Sequence, residues 1–372
     1  MSLRGSLAVA AYSLAGGAFR WSAEEPLTQF WWTLTSLRIG LCVVLERLIG
    51  TYPRLRIALT AALLVEAYTH NVRGRIPTNK ICKGLAVVTG ATSGIGFQTC
   101  VLLCERGVNV VVPARTLEKA KATAALINAT ARGPGVARAS QVPLELTNVA
   151  SVTVFGASLQ KEPLTLLVLN AGVMMPRYMV TKDGAEQTIA ANHLGHFQLA
   201  LLVAPHMSTD ARVIVVSSAL HRKAARFHDG AERLLDFRGS PNKHRLFDAY
   251  AISKLQNVLF AACFAARHPG VACVACHPGF VYTSVTRHLP FWIRLAHVVA
   301  VPFWVLFQKT PRTGAHCSLH CCLSPQFSAA VLQGESRFVA DCRAESPAYP
   351  PRARELAEAL WRRSEAYVRG EL

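Results

Sequence analysis

The side chains best placed to do chemistry are a phenol and an amine four residues apart, Tyr250 and Lys254, inside the run FDAYAISKLQNVLFAACFA. From Tyr250 onward, Ile252, Leu255, Val258, Leu259 and Ala262 recur at intervals of three and four, which predicts a helix with one buried face. Tyr250 and Lys254 then share a face, and an ammonium group beside a phenol favours the phenolate, so the pair can serve as an acid/base. Eight tyrosines and ten lysines in 372 residues would place about 0.2 such pairs by chance. The pair carries weight only if the rest of the chain brings it a cofactor and a substrate.

A seat for a cofactor lies upstream. LAVVTG, from Leu85, is an apolar β-branched run ending in Gly90, and ATSGIG leads from it into a helical pattern through Phe97, Val101 and Leu102. Gly90, Gly94 and Gly96, with Thr92, Ser93 and Ile95 between them, thus lie on a turn from strand to helix. Backbone N–H groups at a helix N-terminus bind a pyrophosphate, and glycine lets the main chain approach it. A glycine triad alone is weak evidence, and the strand and helix on either side strengthen it. The next apolar run, residues 108–112, ends in Pro113-Ala114-Arg115-Thr116. No carboxylate stands there to bind the ribose hydroxyls of NAD, whereas Arg115 suits a 2′-phosphate. NADP(H) is the expected cofactor, and a surface arginine without a role is the alternative.

Strands and helices alternate beyond this point. A helical stretch from Leu117 to Thr130 leads to VPLELT as a third strand, and LTLLVLNAG gives a fourth that ends at Asn170, Ala171 and Gly172. ARVIVVSS gives a fifth, ending at Ser217-Ser218, and VACVACHPG a sixth, ending at His277-Pro278-Gly279. The pattern predicts an α/β fold, a Rossmann-type doubly wound parallel sheet, with ligands beyond the carboxyl ends of the strands. Met174 and Met175 either line that crevice or pack in the core. Residues 81–345 are expected to form a single catalytic domain, with a charged insertion over 219–249, an apolar segment over 289–307 and a C-terminal helix over 346–372.

Composition bounds the partners. A hydrophobic fraction of 51% exceeds that of an ordinary soluble enzyme, and 40 basic against 22 acidic residues give a net charge of +18. Without zinc-finger spacing, a basic zipper region or an RNA-binding signature, anionic lipid and a phosphorylated cofactor are better partners for that charge than nucleic acid. Residues 1–80 carry apolar runs at 7–19, 30–44 and 57–65, nine basic and four acidic residues, and Arg38 inside the second run. An apolar membrane-associating extension lying in the interface is expected, with an ordinary helical extension as the alternative. The endoplasmic reticulum is the expected membrane and the mitochondrion the alternative. Eleven cysteines spread from Cys42 to Cys342 read as free thiols rather than a disulfide scaffold. Cys273 and Cys276, and the run His316-Cys317 to His320-Cys321-Cys322, are expected to pack in the core, and no metal is expected.

TGATSGIG, NAG, the segment Asn192-His193-Leu194-Gly195-His196-Phe197, Ser217-Ser218 and Tyr250-Ala-Ile-Ser-Lys254 follow one another in a known order. Over about residues 83–340 the chain resembles the short-chain dehydrogenases/reductases, and NHLGHF with AYAISKLQNVLF resembles their retinol-dehydrogenase-like branch. The resemblance implies that Ser218 hydrogen-bonds the substrate oxygen, that Tyr250 moves the proton, and that Asn192 completes a relay through water. Lys254 would bind the nicotinamide ribose and lower the Tyr250 pKa. Moving the phenol from about 10 to about 7 takes roughly 4 kcal/mol, expected from Lys254 and the cationic nicotinamide together. Asn170, Ala171, Gly172, Pro278, Gly279, Val281 and Thr283 would line the cofactor, with Thr283 on its amide, and 289–307 would receive the substrate. Leu169 and Glu145 depart from the family pattern, on the adenine side.

These implications combine into an NADP(H)-dependent oxidoreductase interconverting a lipophilic alcohol, of retinoid, sterol, isoprenoid or fatty type, with its aldehyde or ketone at a membrane surface. A homodimer stays open. The alternative is a non-catalytic membrane-bound nucleotide-binding scaffold, against which Ser218, Tyr250, Lys254 and Asn192 together argue.

Overall fold

The computed structural model describes residues 84–160, 162–281 and 309–372. The expected extension over 1–80, the apolar segment 289–307 and Thr283 lie outside the described residues.

The glycine turn sits between β1 (Leu85–Val88) and α1 (Gly94–Glu105), and β2 (Asn109–Val112) leads into α2 (Leu117–Thr130). After β3 (Ala137–Ala139), α3 (Val149–Ser158) and β4 (Leu164–Leu169) comes one long helix, α4, over residues 187–203. It runs from Gln187–Ile189 through a π-helical turn, Ala190–Leu194, into Gly195–Val203. β5 (Met207–Val216), the short helices α5 (His221–Ala224) and α6 (Gly230–Leu235), and α7 (Leu246–Arg267) follow. β6 (Ala272–His277), α8 (Pro311–Leu323), α9 (Ala329–Leu332), β7 (Arg337–Ala340), β8 (Arg343–Glu345) and α10 (Ala353–Val368) complete the described chain.

The eight strands form one sheet in the order β3-β2-β1-β4-β5-β6-β7-β8. All neighbours are parallel except β7 and β8. Parallel strands are covered on both faces, which is why LAVV, LTLLVL and ARVIVV read as unbroken apolar runs rather than alternating ones. On one face α1, α2 and α8 cover Val88, Val110, Val274 and Cys276. On the other, α3, α4, α7 and α10 cover Val87, Leu167, Val215 and Cys273. Successive residues of β6 thus feed opposite cores, as its period-two geometry requires.

One strand differs from its sequence expectation. VPLELT is not a strand; the third strand is the shorter Ala137–Ala139, just before it. The Ser140 hydroxyl donates to the Val142 carbonyl and accepts from the Val142 N–H, which turns the chain, and Pro143 has no N–H to continue a ladder. The β7–β8 pair closes the other end of the sheet through a turn at Asp341 and Cys342, both with left-handed backbone. Short strands with mixed composition carry little periodic signal.

Residues 219–249 are largely exposed, as a charged insertion would be, but anchored to the core through His221, Ala224, Leu234 and Phe237, which are buried. The C-terminal helix α10 is part of the same core, with Trp361 stacked on Phe260 and edge-on to Phe197. Among the described residues one helix, Phe247–Arg267, is long and apolar enough to cross a membrane. It is α7, enclosed by the sheet, α10 and α5, so its hydropathy is that of a core helix.

Candidate active site

The glycine turn leaves β1 at the carboxyl edge of the sheet. Gly90 and Gly94 have left-handed backbone, and a Cβ at Gly96 would collide with the Gly90 carbonyl oxygen and the Asn170 amide. Thr92, Ser93 and Ile95 are half-exposed on this turn, at the start of α1. The turn is therefore a cradle held open by missing side chains, next to N–H groups that α1 itself leaves unused. Arg115 follows β2, is exposed, and makes no ion pair among the described residues. These features fit a phosphate-bearing dinucleotide. Glu145 is tied down locally: its Oε1 accepts from the Thr147 N–H at 3.2 Å and the Thr147 hydroxyl at 2.9 Å.

Thr89, at the tip of β1, fastens the neighbouring strand end. Its Oγ1 accepts from the Asn170 N–H at 2.9 Å and the Ala171 N–H at 3.0 Å, while Asn170 Nδ2 donates to the Thr89 carbonyl at 2.9 Å. The same hydroxyl meets His196 Nε2 at 2.8 Å, and His196 Nδ1 meets the Asn192 carbonyl at 3.1 Å. A carbonyl only accepts, so His196 carries its proton on Nδ1 and takes the Thr89 proton on Nε2. The imidazole is neutral: burial, with the Lys254 charge adding to it, pushes its pKa down to about 3.

Asn192 lies on the π turn of α4, and π turns inside α-helices re-aim the residues they contain. Fully buried, it accepts from the Val173 N–H at 2.8 Å and donates to the Val173 carbonyl at 2.9 Å and to Ser253 Oγ at 3.0 Å. Its side chain is consumed in clamping the loop after β4 onto α7. A relay through water from Asn192 would run through its main-chain carbonyl rather than through its amide.

Tyr250 and Lys254 lie one turn apart on α7, as their spacing predicts. Lys254 is buried, donates from Nζ to the Val216 carbonyl at 2.9 Å, and stands 5.4 Å from the centre of the Tyr250 ring. A Cβ added at Gly172 would lie 3.5 Å from Lys254 Nζ and 3.6 Å from Asn192 Oδ1. The ends of β4 and β5, the π turn of α4 and the first turns of α7 thus converge on one point. Ser217 is buried and spends its hydroxyl on the Lys254 carbonyl at 2.8 Å. Ser218 is half-buried; its Oγ accepts from the Leu220 N–H at 3.3 Å, and its hydroxyl acts on Tyr250 in the direction that favours the phenolate. Of the two serines only Ser218 faces the tyrosine. Its carbonyl is held by His221 Nδ1 at 2.7 Å, and His221 Nε2 accepts from the Ala348 N–H at 3.1 Å.

The electrostatics differ from the sequence expectation. Burial pushes the Tyr250 phenol up to about 12, against the Ser218 hydroxyl that lowers it. Burial pushes Lys254 down to about 8. In the unliganded protein the amine loses its proton before the phenol does, so Lys254 alone does not make the phenolate. A positive charge that brings Tyr250 down toward neutral pH has to enter with the ligands.

Pro278 and Gly279 follow β6, and Gly279 has left-handed backbone at φ 91°. A Cβ there would run into the ion pair of Lys309 and Asp341. Val281 bridges to Lys309 and packs on Gly314 of α8. Met174 is buried and Met175 half-buried. Sequence reading did not find Thr89, His196, His221 and Lys309, which hold the site from behind. Buried threonine and histidine carry no periodic signature, and the partners that fix Thr89, His196 and His221 in the site include residues remote in sequence.

Comparison with known proteins agrees with this fold. A family model described as short chain dehydrogenase matches residues 84–227. Retinol dehydrogenase 12 from Homo sapiens is 35% identical over 289 residues, covering 74% of this chain and 84% of that protein. Dehydrogenase/reductase SDR family member 13 from Bos taurus is 36% identical over 303 residues, covering 76% and 74%. Among solved structures, an uncharacterized protein from Mycobacterium paratuberculosis superposes with a TM-score of 0.57 at 27% identity, over 78% of this chain and 95% of that one.

Proposed function

The chain belongs to the short-chain dehydrogenase/reductase family, in its retinol-dehydrogenase-like branch, and we propose on that premise that it is an NADP(H)-dependent enzyme acting on lipophilic alcohols and carbonyls. It is an oxidoreductase that interconverts an alcohol and a carbonyl compound. The observation that carries the proposed chemistry is the convergence of Tyr250, Ser218 and Lys254 with Gly172 and Asn192 beside the glycine cradle.

A bound nicotinamide dinucleotide supplies or accepts the hydride. Ser218 holds the substrate oxygen by a hydrogen bond, and Tyr250 gives that oxygen a proton in reduction or takes one in oxidation. Lys254 holds the ribose side of the site and carries the positive charge that assists the phenolate. Asn192 keeps the loop after β4 in register with α7. Exposed Arg115 favours a 2′-phosphate and hence NADP(H) over NAD(H). A lipophilic substrate is supported by the names of the relatives and by the apolar composition of 289–307. The basic, apolar stretch 1–80 supports association with a membrane surface, for which the endoplasmic reticulum is the first candidate.

The test is turnover of long-chain aldehydes and ketones by the detergent-solubilised full chain with NADPH and with NADH. Reduction that prefers NADPH, with the preference narrowed or reversed in Arg115→Asp, supports the reading. No turnover of any carbonyl with either cofactor supports the nucleotide-binding scaffold instead.

A further inference from the structure

On the face of the sheet away from Tyr250, three thiols meet. Cys276 comes from the end of β6, and Cys317 and Cys321 come from successive turns of α8, four residues apart and so on one face of that helix. Their sulfur atoms all lie within 4.8 Å of one another, and all three residues are fully buried. Cys273, earlier on the same strand as Cys276, points into the opposite core and has no part in this group.

We propose that Cys276, Cys317 and Cys321 form a buried three-sulfur site for one thiophilic d10 cation, zinc or monovalent copper. Thiolate sulfur without nitrogen or carboxylate selects such ions over magnesium, calcium or manganese. Three sulfurs each about 2.3 Å from one ion sit roughly 3.7–4.0 Å apart, so a closing of at most about 1 Å turns the present cluster into a coordination shell. The Ser318 hydroxyl stands 3.9 Å from the Cys276 sulfur and offers a fourth corner for an ion that needs one.

Charge is balanced nearby. Each thiol that ligates gives up its proton to solvent, and three thiolates around a divalent ion leave one net negative charge. Arg212 is buried, donates to the Cys321 carbonyl at 3.3 Å and the Ser324 carbonyl at 2.6 Å, and has no carboxylate partner among the described residues. A buried cation without a counter-charge is costly, and an anionic cluster one of whose ligands, Cys321, gives Arg212 its carbonyl reduces that cost. The site also reaches the carboxyl edge of the sheet: Cys317 donates to the carbonyl of His277, the last residue of β6, at 3.4 Å, one residue before Pro278. Metal uptake removes that donated proton.

A site this deep is filled as the chain folds, so the full chain is expressed in medium supplemented with zinc, with copper or with cadmium and purified without chelator. Elemental analysis is expected to find one equivalent of zinc or of copper per chain, and the cadmium form to show a sulfur-to-cadmium charge-transfer absorption. Cys321→Ala and Cys276→Ala are expected to lose the metal and the absorption, while Cys273→Ala, on the same strand but the opposite face, keeps both. Circular dichroism and cofactor binding establish that each variant is folded, and the absorption of the unaltered chain stands even where a variant fails to fold. Zinc and copper content separate the two ions. Folded wild-type protein free of metal from every medium, or metal content unchanged in a folded Cys321→Ala, overturns the proposal.

Discussion

Replacing Lys254 with methionine removes one charge and keeps the length of the side chain. Lys254 Nζ lies 5.4 Å from the Tyr250 ring centre. At an effective dielectric constant of about 20, a unit charge at that distance is worth roughly 3 kcal/mol, or about two pKa units. The unliganded phenol stands at about 12, so reaching pH 7 takes about five units, roughly 7 kcal/mol. Lys254 therefore accounts for less than half of the tuning, and only while it is protonated. Its own pKa of about 8 means that the help is present below that pH in the free enzyme and fades above it. In alcohol oxidation the phenolate is the active form, so the rate rises with pH through the apparent pKa of the ligand-bound pair. At saturating NADP, Lys254→Met is expected to move that alkaline limb upward by about two units. Carbonyl reduction, which uses the protonated phenol, is expected to suffer less at low pH. The assay is kcat against pH in both directions for both proteins. An oxidation profile that keeps its midpoint in Lys254→Met refutes the electrostatic role, even if the rate falls.

Other perturbations follow from the same contacts. Asn192→Ala removes the bonds to both polar groups of Val173 and to Ser253, and is expected to cost about 2–3 kcal/mol in urea unfolding together with a loss of turnover; unchanged stability would sink the clamp. Gly96→Ala places a methyl group against the Gly90 carbonyl and is expected to weaken NADPH binding at least about tenfold in a fluorescence titration, and an unaffected Kd would count against the cradle. His193 and His196 are both held by burial at about 3, below the usual 6.5. The unfolded chain binds their protons between those values and the folded chain does not, so stability falls as the pH drops through that window. The expected slope is up to roughly 1.4 kcal/mol per pH unit for each imidazole, read by denaturant unfolding between neutral pH and about pH 5, and a flat dependence contradicts it.

How much was legible depended on whether the signal was local. The Tyr250–Lys254 turn, the glycine turn and the helix Leu117–Thr130 are set by neighbours along the chain, and the structure has them where the sequence expects them. The parallel sheet was legible because buried strands are apolar throughout. β3 was misplaced because a three-residue edge strand has no period to read, and β7 and β8 went unseen for the same reason. Within the site, residue types at the reaction centre were readable, but their energetics were not. A lysine one turn from a tyrosine predicts a lowered phenol, whereas burial raises Tyr250 and lowers Lys254, and burial is a property of the whole fold. His196, His221 and the cysteine cluster depend on partners between 3 and 127 residues away, and the distant ones meet only in the fold.

The most direct test of the central claim is single-turnover reduction of a long-chain aldehyde by NADPH in Tyr250→Phe beside the unaltered enzyme. The ring and its packing survive, and only the proton donor is lost. NADPH is expected to bind both proteins alike, with hydride transfer slower by about 100-fold or more in the variant. Equal rates in the two proteins, with a substrate the unaltered enzyme turns over, would contradict the assignment of Tyr250 as the acid/base.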